Sequence, residues 1–248
     1  ATGEPAGIQD LFVGASGFIV AVTLMLSMAW FISANFVRLN EQERKRAYQA
    51  YLYVVQANLP GVADPEIRAH LQEQTFGVLP KLDQSLKGTL LEHLSKSKLL
   101  SGGTRIVLRN ADFRGADLCL TDLPEADLRE INLEGARLEG ALLPKANLYK
   151  ARLRRSNLSR ARLQEANLQQ ADLTEAVLSE TRLRAANLNK TILSKANLSQ
   201  ANLQGANLQQ ADLSYANLEG AVLNETDLRG ADLTGTIVTN EQLQQAKL

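Results

Sequence analysis

His70 and His93 are the only histidines in this chain of 248 residues, and Cys119 is its only cysteine. That leaves little material for a histidine acid–base or metal site, and none for a cysteine-rich metal site or a disulfide framework. Each histidine falls in a stretch that reads as helix, where a lone imidazole is expected to be a surface or packing residue. Cys119 is expected to be an incidental surface thiol. No glycine-rich phosphate loop, nucleophile elbow or metal-ligand spacing occurs. The 27 Lys+Arg balance 27 Asp+Glu, and zero net charge removes electrostatic capture of nucleic acid as a default function. These residues predict no catalysis, no cofactor, no metal, no nucleic-acid partner and no small-molecule substrate. What remains is the chemistry of recognition.

Two outward sets are candidates for it. Residues 140–164 carry Lys145, Lys150, Arg152, Arg154, Arg155, Arg160 and Arg162 and no acid. They read either as a basic girdle for an acidic partner or anionic headgroups, or as a solvated belt neutralised by carboxylates on either side. Leu120, Pro124, Leu142 and Pro144 are apolar residues at positions expected to face outward. They read either as a docking patch or as ordinary exposed apolar area.

The element that positions both sets is a repeat. Residues 106–235 divide into 26 pentapeptides without a break in register, with leucine at the third position of every one except Phe113. The first position is Ala in 19 of the 26 and the second is Asn or Asp in 17, giving A-(N/D)-L-x-x. On an α-helix a period of five would spiral the leucines around the surface. On a strand an odd period would alternate them between faces. Neither buries a core. A chain that turns a corner in every repeat points each leucine at a shared axis, with the small first-position residues beside it, and stacked coils then bury what one repeat cannot.

This run resembles the pentapeptide-repeat family, and its combination with the uncharged run 11–37 and the segment KLDQSLKGTLLEHLSKSKLL is similar to membrane-anchored members common in cyanobacteria. The resemblance implies an all-β solenoid, a right-handed quadrilateral parallel β-helix of about 6.5 coils, roughly 31 Å long at ~4.8 Å per coil. With four repeats per coil, residues 20 apart become vertical neighbours. Arg105, Glu125, Lys145 and Glu165 then form a column of alternating charge, as do Arg155, Glu175 and Lys195, while Arg160 stands beside Glu180. Asp127, Asn147, Asn167, Asn187, Asn207 and Asp227 form a polar column. Glycines such as Gly115 and Gly135 fall at the fifth position, near the corners.

The rest of the chain reads as anchor and caps. After an N-terminal tail, 1–10, residues 11–37 carry no charge, long enough to span a bilayer with some tilt as a transmembrane helix. A signal peptide is the rival reading, but no basic n-region is seen; a buried soluble helix is the other. Trp30, Phe31 and Phe36 crowd one end, as interfacial aromatics do. Gly14, Gly17 and Ala21 share a helix face that would admit a second helix in the membrane, or are simply small residues in an apolar span. Arg38, Arg44, Lys45 and Arg46 follow the span and no basic residue precedes it. The N-terminus is therefore expected outside (or lumenal), and the repeat domain cytoplasmic. Residues 38–105 read as a juxtamembrane helical region capping the solenoid, 106–238 as the repeat, and 239–248 as a short C-terminal capping helix. Asp64-Pro65 is an N-cap signal, and Thr239 with Gln242 a capping box.

The expected function is a non-enzymatic scaffold or accessory protein. Its expected partners are the bilayer and a protein, such as an integral complex of the plasma or thylakoid membrane. Some pentapeptide-repeat proteins protect DNA gyrase by mimicking DNA, which is the alternative. Residues 101–248 hold 18 basic and 18 acidic residues, whereas a polyanion mimic needs an acidic excess. A third possibility confines the role to the membrane helix, with the solenoid as a cap.

Overall fold

The computed structural model describes residues 41–103 and 105–248. The chain divides into two compact units, Ala1–Ala50 and Tyr51–Leu248. The apolar stretch 11–37, with Gly14, Gly17 and Ala21, lies outside the described residues. Among the described residues no helix is long and apolar enough to cross a membrane.

Three helices precede the repeat: α1 (Glu41–Asn58), α2 (Pro65–Val78) and α3 (Gln84–Lys96). Single 3₁₀ turns at Leu59–Gly61 and Leu79–Lys81 separate them, each with a proline in its first turn where no intrahelical N–H is needed. Asp64 caps α2 by accepting the Glu66 amide at 2.8 Å, and Asp83 caps α3 by accepting the Leu86 amide at 2.8 Å. Helix α2 buries Leu71, Thr75 and Val78. The Thr75 hydroxyl is satisfied within the core, donating to the Leu71 carbonyl and meeting the Tyr51 hydroxyl, both at 2.7 Å. Helix α3 buries Gly88, Leu90, Leu91 and Leu94.

From Asn110 to Gly235 the chain is a four-sided solenoid. Each repeat ends in a turn closed by the first-position amide of the next repeat donating to the preceding third-position carbonyl, as Ala171 does to Leu168 at 2.9 Å. Every fifth-position residue from Asn110 to Gly235 has positive φ, between 54° and 71°. Positive φ at the third residue of a four-residue turn is type II geometry. A corner every five residues and parallel pairing between residues 20 apart give four sides per coil. Each side is too short for an extended strand. Its ladder is a single bridging residue, the second position, as in Asn147↔Asn167↔Asn187. The bridge uses two bonds: the second-position amide donates to the first-position carbonyl of the coil before, and the third-position amide to the second-position carbonyl of the coil after. Asn167 N donates to Ala146 O at 2.9 Å and Leu168 N to Asn187 O at 2.8 Å.

Third-position leucines and first-position alanines fill the interior, and Leu148, Leu168 and Leu188 are at most 1% exposed. Buried hydroxyls at the first position are satisfied by core carbonyls: Thr181, Thr191 and Thr226 each bond a carbonyl one coil below, Ser156 one in the repeat before its own.

The N-terminal end of this core is covered by α3 and the segment after it. Gly88 packs so tightly against the Asp117 carbonyl that a Cβ would overlap it. The Asp117 amide donates to Gln84 O at 2.9 Å, Ser95 Oγ to Asp122 O at 2.9 Å, and the Asp127 amide to Leu100 O at 2.7 Å. At the C-terminal end the capping box forms: Gln242 N donates to Thr239 Oγ1 and Thr239 N to Gln242 Oε1. The helix it starts, α4, is only Asn240–Leu243. Gln242 also caps the open coil, donating to Leu218 O and Ala221 O at 2.7 and 2.8 Å. The chain then rejoins the ladder through Asp227↔Lys247. Leu248 does not press onto the last coil; it is 68% exposed.

Candidate docking faces

The first full coil names the four faces by their second-position residues: face 1 by Asp112, face 2 by Asp117, face 3 by Asp122 and face 4 by Asp127. Only the second, fourth and fifth positions send side chains outward. The turn, bridge and core contacts consume most backbone groups. The exceptions are the fifth-position carbonyl, which apart from Glu130 O meets no backbone donor, and the fourth-position amide, which meets no backbone acceptor. The Asn or Asp two residues earlier accepts it, as Asn167 Oδ1 does from Gln169 N at 3.1 Å and Asn197 Oδ1 from Ser199 N at 3.0 Å. This is the side-chain-to-backbone turn these residues favour. Every second-position Asn or Asp does it except Asp122, whose fourth-position neighbour is Pro124 and has no N–H. Pro144 is the other fourth-position proline, and its second-position neighbour Leu142 has nothing to accept. Sequence reasoning identified the polar column but not this bond. The coincidence of Leu142 with Pro144 was the available signal.

Two of the apolar candidates thus satisfy backbone accounting. All four do lie together. Pro124, Leu142 and Pro144 sit on face 3 on successive coils, and Leu120 is at the corner that enters it, 78% exposed and lying over Gly140. Pro124 is exposed, while Leu142 and Pro144 are half-buried.

The basic residues are spread around all four faces, and four of the seven meet a carboxylate one coil on. Lys145 lies 3.7 Å from Glu165, Arg154 3.5 Å from Asp172, Arg155 2.8 Å from Glu175 and Arg160 3.2 Å from Glu180. Lys150 sits over the Tyr149 ring at 5.2 Å. Arg152 and Arg162 make no ion pair among the described residues. Three of the expected charge pairs form, and Lys195 reaches Glu175 only as a nearby charge. Arg105 departs from its expected column: it pairs with Asp127 at 2.7 Å instead of Glu125. It lies ahead of Asp112, the first bridged residue, so nothing holds it in the 20-residue register.

The polar column on face 4 is a ladder in its middle, Asn187 Nδ2 donating to Asn167 Oδ1 and Asn167 Nδ2 to Asn147 Oδ1 at 3.4 and 3.2 Å. At its ends carboxylates take bidentate guanidinium bonds, Asp127 from Arg129 and Asp227 from Arg229. Burial works against the Asp127 carboxylate, but the Arg129 hydrogen bonds and the Arg129 and Arg105 charges outweigh it and lower its pKa. Hydrogen bonds from Arg114 hold Asp112 at a pKa of about 2, and those from Arg229 hold Asp227 well below the carboxylate range. Cys119 is half-buried, and burial, then Asp117, pushes its thiol pKa up, away from the reactive thiolate. His93 is pushed down by burial and then by the Lys96 charge. Among the described residues no cluster of His, Cys, Asp and Glu is placed to hold a metal.

A four-cornered coil of five-residue sides, filled by leucine and closed by positive-φ turns, defines a repeat solenoid whose working parts are its outer side chains. Residues 121–160, 161–200 and 201–240 match the family described as pentapeptide repeats (8 copies), and the chain belongs to that family. Among solved structures it is 32% identical to HetL, a pentapeptide repeat protein involved in heterocyst differentiation regulation from the cyanobacterium Nostoc. That match covers 56% of this chain and 71% of HetL, with a TM-score of 0.27. It is 26% identical to a pentapeptide repeat protein of the Arabidopsis thaliana thylakoid lumen, covering 42% and 66% at TM-score 0.26. It is 20% identical to QnrB1, a plasmid-mediated fluoroquinolone resistance protein, covering 53% and 81% at TM-score 0.33. A search of curated proteins finds no match.

Proposed function

We propose that this chain is a membrane-anchored, non-enzymatic scaffold or accessory protein that uses its solenoid to bind another protein. The observation that carries the reading is the accounting of the repeat. Core side chains fill the inside and the turns and bridges take up most backbone groups, so the lattice of outer side chains is what remains to act. The anchor rests on the uncharged run 11–37, and its orientation on Arg38, Arg44, Lys45 and Arg46 after it. On this reading the N-terminus lies outside or lumenal and the repeat works on the cytoplasmic side of a plasma or thylakoid membrane, next to an integral complex.

Two measurements on the full chain test it. Carbonate extraction should leave the protein in the membrane pellet, and release into the supernatant would remove the anchor. Mild-detergent pull-down with mass spectrometry should recover a stoichiometric protein partner. A chain that stays alone across several growth conditions would remove the scaffold.

A further inference from the structure

On face 2 and at the corners, cations stand next to acids on the neighbouring coil: Arg137 with Asp117 on face 2, and Lys145 with Glu165, Arg155 with Glu175 and Arg160 with Glu180 at fifth positions. The second and fourth positions of face 3 break this pattern. Arg162 bridges directly to Arg182, and Arg184 follows two residues on, outward on the same face. All three are exposed, and none makes a side-chain hydrogen bond or ion pair among the described residues. The carboxylates nearest in sequence are already engaged, Glu165 by Lys145 and Glu180 by Arg160. Like charges directly opposite across a ladder destabilise it. The core and the turns do not require arginine at any of these positions, since Asn202 occupies the next second position of the same column. Local rules broken without a structural gain mark functional sites.

We infer that face 3 binds an acidic protein segment. Its carboxylates would be taken by Arg162, Arg182 and Arg184, and an apolar side chain beside them by Leu142 and Pro144 on the coil before Arg162. Guanidinium groups suit this role because their planar donor fork matches a carboxylate bidentately. Arginine next to half-buried apolar residues is also the composition of protein interfaces. A membrane surface would call for aromatic or fully exposed long apolar residues beside the charge, whereas Leu142 and Pro144 beside these arginines are half-buried. A nucleic acid would call for a net positive domain, and the repeat is neutral.

This inference deepens the scaffold reading and rests on it. It is tested with the full chain in nonionic detergent, by anisotropy of a labelled peptide alternating Glu and Val, against the same peptide with Lys for Glu. The acidic peptide should bind, weaken with salt, and bind the Arg162→Ala/Arg182→Ala/Arg184→Ala variant about tenfold more weakly or worse. The Lys peptide should not bind, and Lys190→Ala, an exposed cation on another face, should change nothing. The triple variant should melt no lower than the parent, because it removes a like-charge contact. Unchanged affinity in the triple variant would overturn the inference, as would binding to phosphatidylserine vesicles without binding to the peptide. A partner that the triple variant still pulls down would leave the scaffold standing and this surface refuted. A chain with no partner at all would refute the scaffold itself.

Discussion

Leu168→Ala tests the filled core most directly. Leu168 is fully buried between Leu148 and Leu188 of the coils below and above. Truncation removes three carbons, which at ~0.8 kcal/mol each is about 2.4 kcal/mol of transfer free energy. The surrounding leucines are held by bridges on every side and collapse little, so a cavity term adds to this, for a total of about 3–4 kcal/mol. Leu233 occupies the same position on the last coil but is only half-buried, because α4 covers that end incompletely. Leu233→Ala should therefore cost about 1 kcal/mol, from partial transfer with no enclosed cavity. Urea unfolding of the full chain in detergent, followed by far-UV circular dichroism, reads both losses as midpoint shifts. Equal losses at the two sites, or a loss under ~1 kcal/mol at Leu168, would refute a core that is packed in the middle and open at one end.

Gly135 has φ of +64° and open space where a Cβ would stand, so Gly135→Ala should cost only the left-handed backbone penalty, about 1 kcal/mol by urea midpoint. Gly88→Ala should instead push α3 off the Asp117 carbonyl, costing about 1–3 kcal/mol and speeding amide exchange in the first coil ahead of the middle ones. Pro144→Ala creates a fourth-position N–H that Leu142 cannot accept; Leu142→Asn added to it should recover about 0.5–1.5 kcal/mol in a double-mutant cycle. Asp112, Asp127 and Asp227 all have folded pKa values below their unfolded ones. Their stabilisation is complete above pH ~4 and lost as pH falls toward 2. The melting temperature should drop across that window, and Arg114→Ala should remove the share contributed by Asp112.

The coil was legible because its cause is a single period. Leucine every five residues excludes helix and strand alike, and only a corner per repeat reconciles it with burial. The charge pairs at a spacing of 20, such as Arg155 with Glu175, then follow from four corners. Arg105 was misplaced because column reasoning assumes a register that begins only at Asp112. Asp127, Asn147, Asn167, Asn187, Asn207 and Asp227 read as a polar column, whereas each also accepts an amide within its own repeat. Which amide the backbone leaves over becomes visible only when every other donor has been assigned. The arginine cluster escaped notice for a related reason. A belt drawn along the sequence from 140 to 164 groups residues by chain position, whereas the coil sorts them onto faces, joining Arg162 to Arg182 and Arg184.

The pairing of residues 20 apart also sets what lengths this chain can gain or lose. Removing one whole turn of the tube shortens it and leaves every remaining side chain pointing as before. Removing a single pentapeptide keeps the interior equally full but rotates everything beyond the excision by a quarter turn, so that the surface carrying Arg182 would end up aligned with a different wall. In this architecture evolution can change reach and aim independently, by choosing multiples of four repeats or fewer.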